Sequence, residues 1–190
     1  TREKGHFLDP ACGSGVFLVR SFQRLCEHWR TTRQARTIRW DSLLSILKRV
    51  HGWDLNGSAV RVAVFSLYVA LLEEVSPPDI RAMVKRGKLL PELWGKTLVR
   101  RDFFVDPEKE LDSFEVLIGN PPWTSRRGPT RASLAWSKKN DAPMPSGEDA
   151  WAFVWKSLKH LSPGGLVAFL LPAMGFLHNH AANSLEARRK

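Results

Sequence analysis

Two cysteines, Cys12 and Cys26, are too few for the disulfide framework of a secreted scaffold, and point to a reducing cytoplasm. No apolar run is long enough to cross a membrane; the longest, Leu166 to Leu177, is broken by Pro172 and Gly175. The opening residues Thr1 to Gly5 lack the apolar stretch of a signal peptide. Cysteine and histidine do not recur at zinc-ligand spacing, so no metal is expected. Acidic residues are also in deficit: 19 Asp+Glu face 29 Lys+Arg, for a formal net charge of +10. That excess favours a polyanion such as nucleic acid, through long-range attraction and counterion release. It is equally the charge of an ordinary soluble chain, or of a piece parted from an acidic partner surface. Charge alone names no reaction.

What is present is ordinary globular composition, 43% hydrophobic and 25% charged over 190 residues, enough for one domain with a core. Short apolar segments alternate with helical periodicity. His6–Asp9, Val50–Asp54, Lys96–Arg100, Phe114–Gly119 and Leu166–Leu171 read as strands. Val16–Trp29, Ser42–Lys48, Ala59–Glu74, Asp79–Leu90 and Glu148–Leu161 read as helices, with Asn56 or Ser58 as a candidate cap for the third. Ser76-Pro77-Pro78 ends that helix, and Pro163-Gly164-Gly165 reads as a turn. Thr31–Arg39 is a basic loop, and Asn179–Lys190 a polar, basic tail that could begin a helix. Thr124–Gly147 has Arg126, Arg127, Arg131, Lys138 and Lys139 among Gly, Pro and Ser with few aliphatics, and reads as a long mobile loop. The alternation predicts an α/β fold with a doubly wound, mostly parallel sheet. Such sheets bind ligands beyond the carboxyl ends of their strands.

Four motifs fall at such ends. In Asp9-Pro10-Ala11-Cys12-Gly13-Ser14-Gly15 an acid ends a strand and two glycines precede a helix. Glycine permits close backbone approach, and the helix start offers free N–H groups. The spacing is neither the dinucleotide fingerprint nor a phosphate loop, so a tight turn is the bland reading; Asp9 suits a cationic ligand. Asp54, ending the second strand, could accept both hydroxyls of a ribose or simply cap the next helix. After the third strand, Asp102 could accept from an adenine amino group and Phe103 or Phe104 could pack on the ring, unless both are ordinary loop and core. The fourth motif, Asn120-Pro121-Pro122-Trp123, follows a nearly all-apolar strand. Two prolines stiffen the turn and remove two backbone donors. Asn120 offers an oxygen acceptor and Trp123 a flat surface. Together they fit a planar substrate held by its amino group; the bland alternative is a Pro-rich turn beside a core Trp. His178-Asn179-His180 lacks the surroundings of a nuclease metal site and reads as a surface loop.

Asp-Pro-Ala-Cys-Gly-Ser-Gly followed by Asn-Pro-Pro-Trp resembles the amino-group DNA methyltransferases, most of all the adenine-specific group found in restriction–modification and BREX-type phage-defence systems. The resemblance covers roughly Phe7 to Leu177. It implies a Rossmann-like fold, S-adenosylmethionine as cofactor and N6 methylation of adenine in double-stranded DNA. On that resemblance Asp9, Ala11 and Gly13 line the methionine part of the cofactor, with Pro10 and Gly15 in the same loop. Asp54 holds the ribose, and Asp102 and Phe103 the adenine. Asn120 and the Pro121 carbonyl bind the target amino group, with Pro122 stiffening the turn and Trp123 stacking on the flipped base. Arg126, Arg127, Arg131, Lys138 and Lys139 are candidate phosphate contacts. The expected division is a cofactor half over about 1–110, the catalytic motif and basic loop over about 111–147, and a last helix and strand over about 148–178. Family members usually have a further cofactor-binding segment ahead, and later strands and a target-recognition domain behind. The resemblance therefore implies a core incomplete at both ends, whose partners would be other domains or subunits of a restriction or defence system.

Two other readings stay open at this point. Glutamine methyltransferases acting on release factors, and some RNA guanine methyltransferases, share Asn-Pro-Pro followed by an aromatic. Their first motif usually differs. Cytosine amino methyltransferases usually begin the catalytic motif with Ser, so Asn120 argues against them. The chain could also be a catalytically silent DNA- or partner-binding module.

Overall fold

The computed structural model describes residues 5–85, 90–105, 113–123, 129–173, 176–177 and 182–189. The chain divides into two units, Thr1–Arg100 and Arg101–Lys190.

In the first unit, β1 (Phe7–Asp9), β2 (Val50–Asp54) and β3 (Leu98–Arg100) form a parallel sheet in the order β3-β2-β1. Parallel neighbours need crossover connections, and helices supply them. After β1 come α1 (Val16–Arg33) and α2 (Trp40–Leu47); after β2 come α3 (Gly57–Glu73) and α4 (Pro77–Lys85). This order is that of the mononucleotide-binding half of doubly wound sheets. α1 turns Leu18, Phe22 and Cys26 inward at helical spacing, and α3 turns Val60, Ala63, Leu67 and Leu71 inward. They meet Leu43 and Leu47 of α2, Val50 of β2 and Leu98 of β3 in one buried cluster. Truncating any of its leucines should cost about 2–5 kcal/mol. Register then fixes the edge that matters. Asp9 lies opposite Gly52, and Asp54 opposite Arg100. Both acids thus end their strands at the carboxyl edge.

In the second unit, β4 (Phe114–Gly119) and β5 (Leu161–Phe169) pair in parallel, connected through α5 (Arg131–Lys139) and α6 (Asp149–Lys159), and α7 (Ala182–Arg189) follows. All described strand pairings are parallel, and the fold is α/β and Rossmann-like.

Three sequence expectations need correction here. The stretch read as one mobile loop contains α5 and a 3-10 turn at Pro145–Gly147. Its helix is capped by the Thr130 hydroxyl, which accepts from the Ser133 amide at 3.0 Å. Its inward face is Ser133, Trp136 and Ser137, so it lacks the aliphatic periodicity that marks a helix. Of the basic candidates on that stretch, Arg131, Lys138 and Lys139 are therefore exposed helical residues, while Arg126 and Arg127 lie outside the described residues. The expected turn at Pro163–Gly165 is a bulge inside β5: Phe114 faces Leu161, yet Val116 faces Leu166. α3 ends at Glu73, ahead of Ser76-Pro77-Pro78, but α4, expected from Asp79, already opens at Pro77, as proline's fixed φ allows at a helix start. His178–His180 also lies outside the described residues. Among the described residues no helix is long and apolar enough to cross a membrane.

Candidate functional site

Asp9 ends β1 and is 1% exposed. A turn must then lead into α1, and three hydrogen bonds donated by backbone amides shape it. The Cys12 amide donates to the Trp53 carbonyl at 2.9 Å, the Gly15 amide donates to the Cys12 carbonyl at 2.8 Å, and the Gly13 amide donates to Asp54 Oδ2 at 2.9 Å. Gly13 at φ +52° and Gly15 at φ +87° occupy the left-handed region. At Gly15 a Cβ would also meet the Ala63 Cβ of α3 at 2.9 Å, so glycine is required there twice over. Gly15 caps α1 without a side-chain hydrogen bond, and Ser14 and Val16 beside it are exposed. The positive end of the helix dipole therefore opens at the carboxyl edge.

Asp54 holds this edge together. Its Oδ2 accepts from Gly13 and its Oδ1 accepts from the Asn56 amide at 2.8 Å. The helix cap of α3 is Asn56, whose side chain accepts from Ser58 and Ala59. The bland reading of Asp54 as a helix cap thus fails. It bridges the loops after β1 and β2, which the structure brings together as the motif order suggested.

The electrostatics are unusual for a carboxylate. Burial pushes the Asp9 carboxyl up to about 7; the Ala11 amide, donating at 3.1 Å, opposes the rise, and the nearby Asp54 charge adds to it. A buried acid in this state gains from a cation brought beside it. Burial, with Asp9 and Asp54 nearby, pushes the Cys12 thiol well above its ordinary range, and burial pushes Cys26 up to about 12. Neither thiol is poised as a nucleophile.

In the second unit, Asp102 folds back so that its Oδ1 accepts from the Phe104 amide at 2.8 Å. Phe103 is 3% exposed; its ring stacks on Phe153 at 5.3 Å and lies beneath the Lys156 ammonium at 5.2 Å. Phe104 and Trp136 also approach that buried ammonium, at 5.8 and 5.9 Å. The Phe103 ring is thus engaged with its own unit's core, more than its expected role against a ligand ring required.

Asn120–Trp123 leaves the carboxyl end of β4. Asn120 is exposed, Pro121 buried and Pro122 exposed. Trp123 is 43% exposed, and its indole N–H donates to the Leu170 carbonyl at 2.9 Å. The Leu170 amide donates in turn to the Gly119 carbonyl at 3.0 Å. Sequence reasoning missed Leu170, whose role is carried by its backbone and leaves no side-chain signal. It also missed Asp149, buried on α6, which accepts from the Thr130 amide at 3.3 Å and from the Ser133 hydroxyl, and so anchors the start of α5. The one available hint was an acid at the first turn of a helix.

The first unit offers a buried acid and a glycine turn at an open helix start; the second offers a proline turn with Asn120 and Trp123 exposed. Among the described residues, no group of His, Cys, Asp and Glu gathers as metal ligands do. The N-6 DNA Methylase family profile matches residues 1–189. The type II restriction enzyme and methyltransferase RM.Eco57I of Escherichia coli is 23% identical over 88% of this chain and 20% of its own length. The adenine-specific methyltransferase PglX of Streptomyces coelicolor is 27% identical over 64% of this chain and 12% of its own length. The type II methyltransferase M.PaeR7I of Pseudomonas aeruginosa is 27% identical over 86% of this chain and 26% of its own length. The chain thus spans about a quarter or less of each of these relatives. The chain belongs to the N-6 DNA methylase family.

Proposed function

We propose that this chain is the methyl-transfer core of a DNA methyltransferase that uses S-adenosylmethionine to modify the N6 amino group of adenine. The observation that carries the reading is the Asn120–Trp123 turn. It holds an exposed amide acceptor and a pinned, half-exposed indole at the end of a strand, in a chain of this family.

The residues of the first unit fit a cationic nucleoside cofactor. Asp9 supplies a buried carboxylate that a positive group would relieve. The turn from Ala11 to Gly15 leaves backbone close to any ligand at the start of α1, with Pro10 holding its entry. Asp54 keeps that turn closed through Gly13 and is the candidate ribose acceptor. From the second unit, Asp102 is the candidate acceptor for the cofactor's adenine, with Phe103 fixing its own segment through its stack on Phe153. When bound, the cofactor supplies an activated methyl on a sulfonium.

The target amino nitrogen is a poor nucleophile, because its lone pair is delocalised into the ring. The Asn120 oxygen and the Pro121 carbonyl accept its two hydrogens, which draws electron density towards nitrogen and favours tetrahedral geometry. Proline at 121 and 122 keeps those acceptors fixed. Positioning supplies most of the rate, and losing one such acceptor costs about a hundredfold or more. Trp123 stacks on the flipped base, offsetting about 1–3 kcal/mol of the unstacking cost. Arg131, Lys138 and Lys139, with Arg126 and Arg127, contact phosphates. Labelled methyl transfer to DNA, with Asn120→Ala alongside, tests the reading. Transfer to a release-factor peptide or to RNA in place of DNA would move the substrate class.

A further inference from the structure

The turn after β4 is closed at both ends on a single residue of β5's exit. The Leu170 amide donates to the Gly119 carbonyl at 3.0 Å, and the Leu170 carbonyl accepts from Trp123 Nε1 at 2.9 Å. Between these ends lie Asn120, Pro121 and Pro122. The two prolines carry no N–H, so the turn cannot close with amide donors of its own at those positions. The indole N–H is the side-chain donor that ties the far end down. Tryptophan alone among the aromatic residues places an N–H on the edge of its fused ring; phenylalanine has no donor, and tyrosine's lies at the ring tip.

We infer that Trp123 is a positioning residue: its indole N–H, bonded to the Leu170 carbonyl, sets where the Asn120 side chain and the Pro121 carbonyl stand, apart from any stacking its ring performs. The residue has two separable assets. One is the N–H, already engaged within the protein. The other is the exposed part of the ring. This explains why tryptophan stands at a position where any flat ring could stack. The kinetic part of the inference rests on the proposed amino-group methylation; the hydrogen bond itself does not.

The test uses the full chain with 3-benzothienylalanine at position 123, which replaces the indole N–H by sulfur and keeps the ring's area, beside Trp123→Phe. The first readout is deuterium exchange at the Trp123 indole nitrogen in ¹⁵N spectra, its signal assigned by its loss in Trp123→Phe. Exchange at least fivefold slower than for a free indole is expected; exchange as fast as a free indole overturns the inference. The second readout is single-turnover methyl transfer at saturating DNA and cofactor, with DNA affinity measured separately. The benzothienyl protein should transfer about tenfold more slowly, the loss of roughly one hydrogen bond, while binding DNA within about twofold of the original. Wild-type turnover in that protein, or a fall confined to DNA affinity, overturns the positioning role and leaves stacking alone. If the unmodified protein methylates no DNA at all, the proposed function fails, and the exchange measurement still decides the bond.

Discussion

Asp9→Asn is expected to make the ligand-free protein more stable at alkaline pH and to remove its affinity for a cationic cofactor. Asparagine keeps the oxygen that accepts from the Ala11 amide and removes the buried charge. In the native chain the Asp9 carboxyl titrates near 7, against an ordinary value of 3.8. Between those values the folded state holds a proton that the unfolded state has lost. Stability therefore falls as pH rises through this window and levels off above it. The rise corresponds to at most about 4 kcal/mol. Urea unfolding at pH 5 and pH 8 should show the native chain losing up to about 2.5 kcal/mol relative to Asp9→Asn, the rest of the loss lying below pH 5. A cationic ligand acts in the opposite sense, because it favours the charged form and binding releases the proton. The ionised fraction climbs from about one-tenth at pH 6 to nine-tenths at pH 8. S-adenosylmethionine should thus bind about tenfold more tightly at pH 8 by calorimetry. Asp9→Asn should bind far more weakly and lose this component of the pH dependence. Parallel stability profiles for the two proteins, or unchanged cofactor affinity in the variant, would refute the reasoning.

Other perturbations have defined outcomes. Gly15→Ala forces a positive-φ strain and a clash with Ala63, and should cost about 2–4 kcal/mol in chemical unfolding as α1 is pushed off α3. Asn56→Ala removes the cap of α3 and should lower stability by about 1 kcal/mol without changing cofactor affinity beyond that loss. Changing Arg131, Lys138 and Lys139 together to Gln should weaken DNA binding and flatten the plot of log affinity against log salt by about 0.9 for each phosphate no longer neutralised; an unchanged slope removes this helix from the interface.

The candidate site was legible wherever a motif is local and its elements are strongly patterned. β2 matches the expected Val50–Asp54 boundaries, because an apolar stretch ends at an acid before a cap. The loops after β1 and β2 were expected at one edge, and the Gly13–Asp54 bond joins them. The α5 segment was misread because Pro129 and small polar residues dominate it, while Trp136 does the packing that aliphatic residues do elsewhere. β5 begins five residues earlier than Leu166, because Pro163-Gly164-Gly165 bulges out of a continuing pairing instead of ending it. Asp149 and Leu170 were invisible for a different reason: their partners lie 16 to 51 positions away and are chosen by tertiary packing, one of them through a backbone carbonyl. Phe103 was recognised as an aromatic beside Asp102, but its stack on Phe153 exists only once α6 has docked.

The most direct test of the central claim is transfer of labelled methyl from S-adenosylmethionine to unmethylated DNA by this protein, with the modified base identified and Asn120→Ala measured beside it. The expected result is N6-methyladenine, reduced about a hundredfold or more in the variant. Cofactor binding with no methylated base in DNA, or methylation that survives the loss of Asn120, would contradict the account.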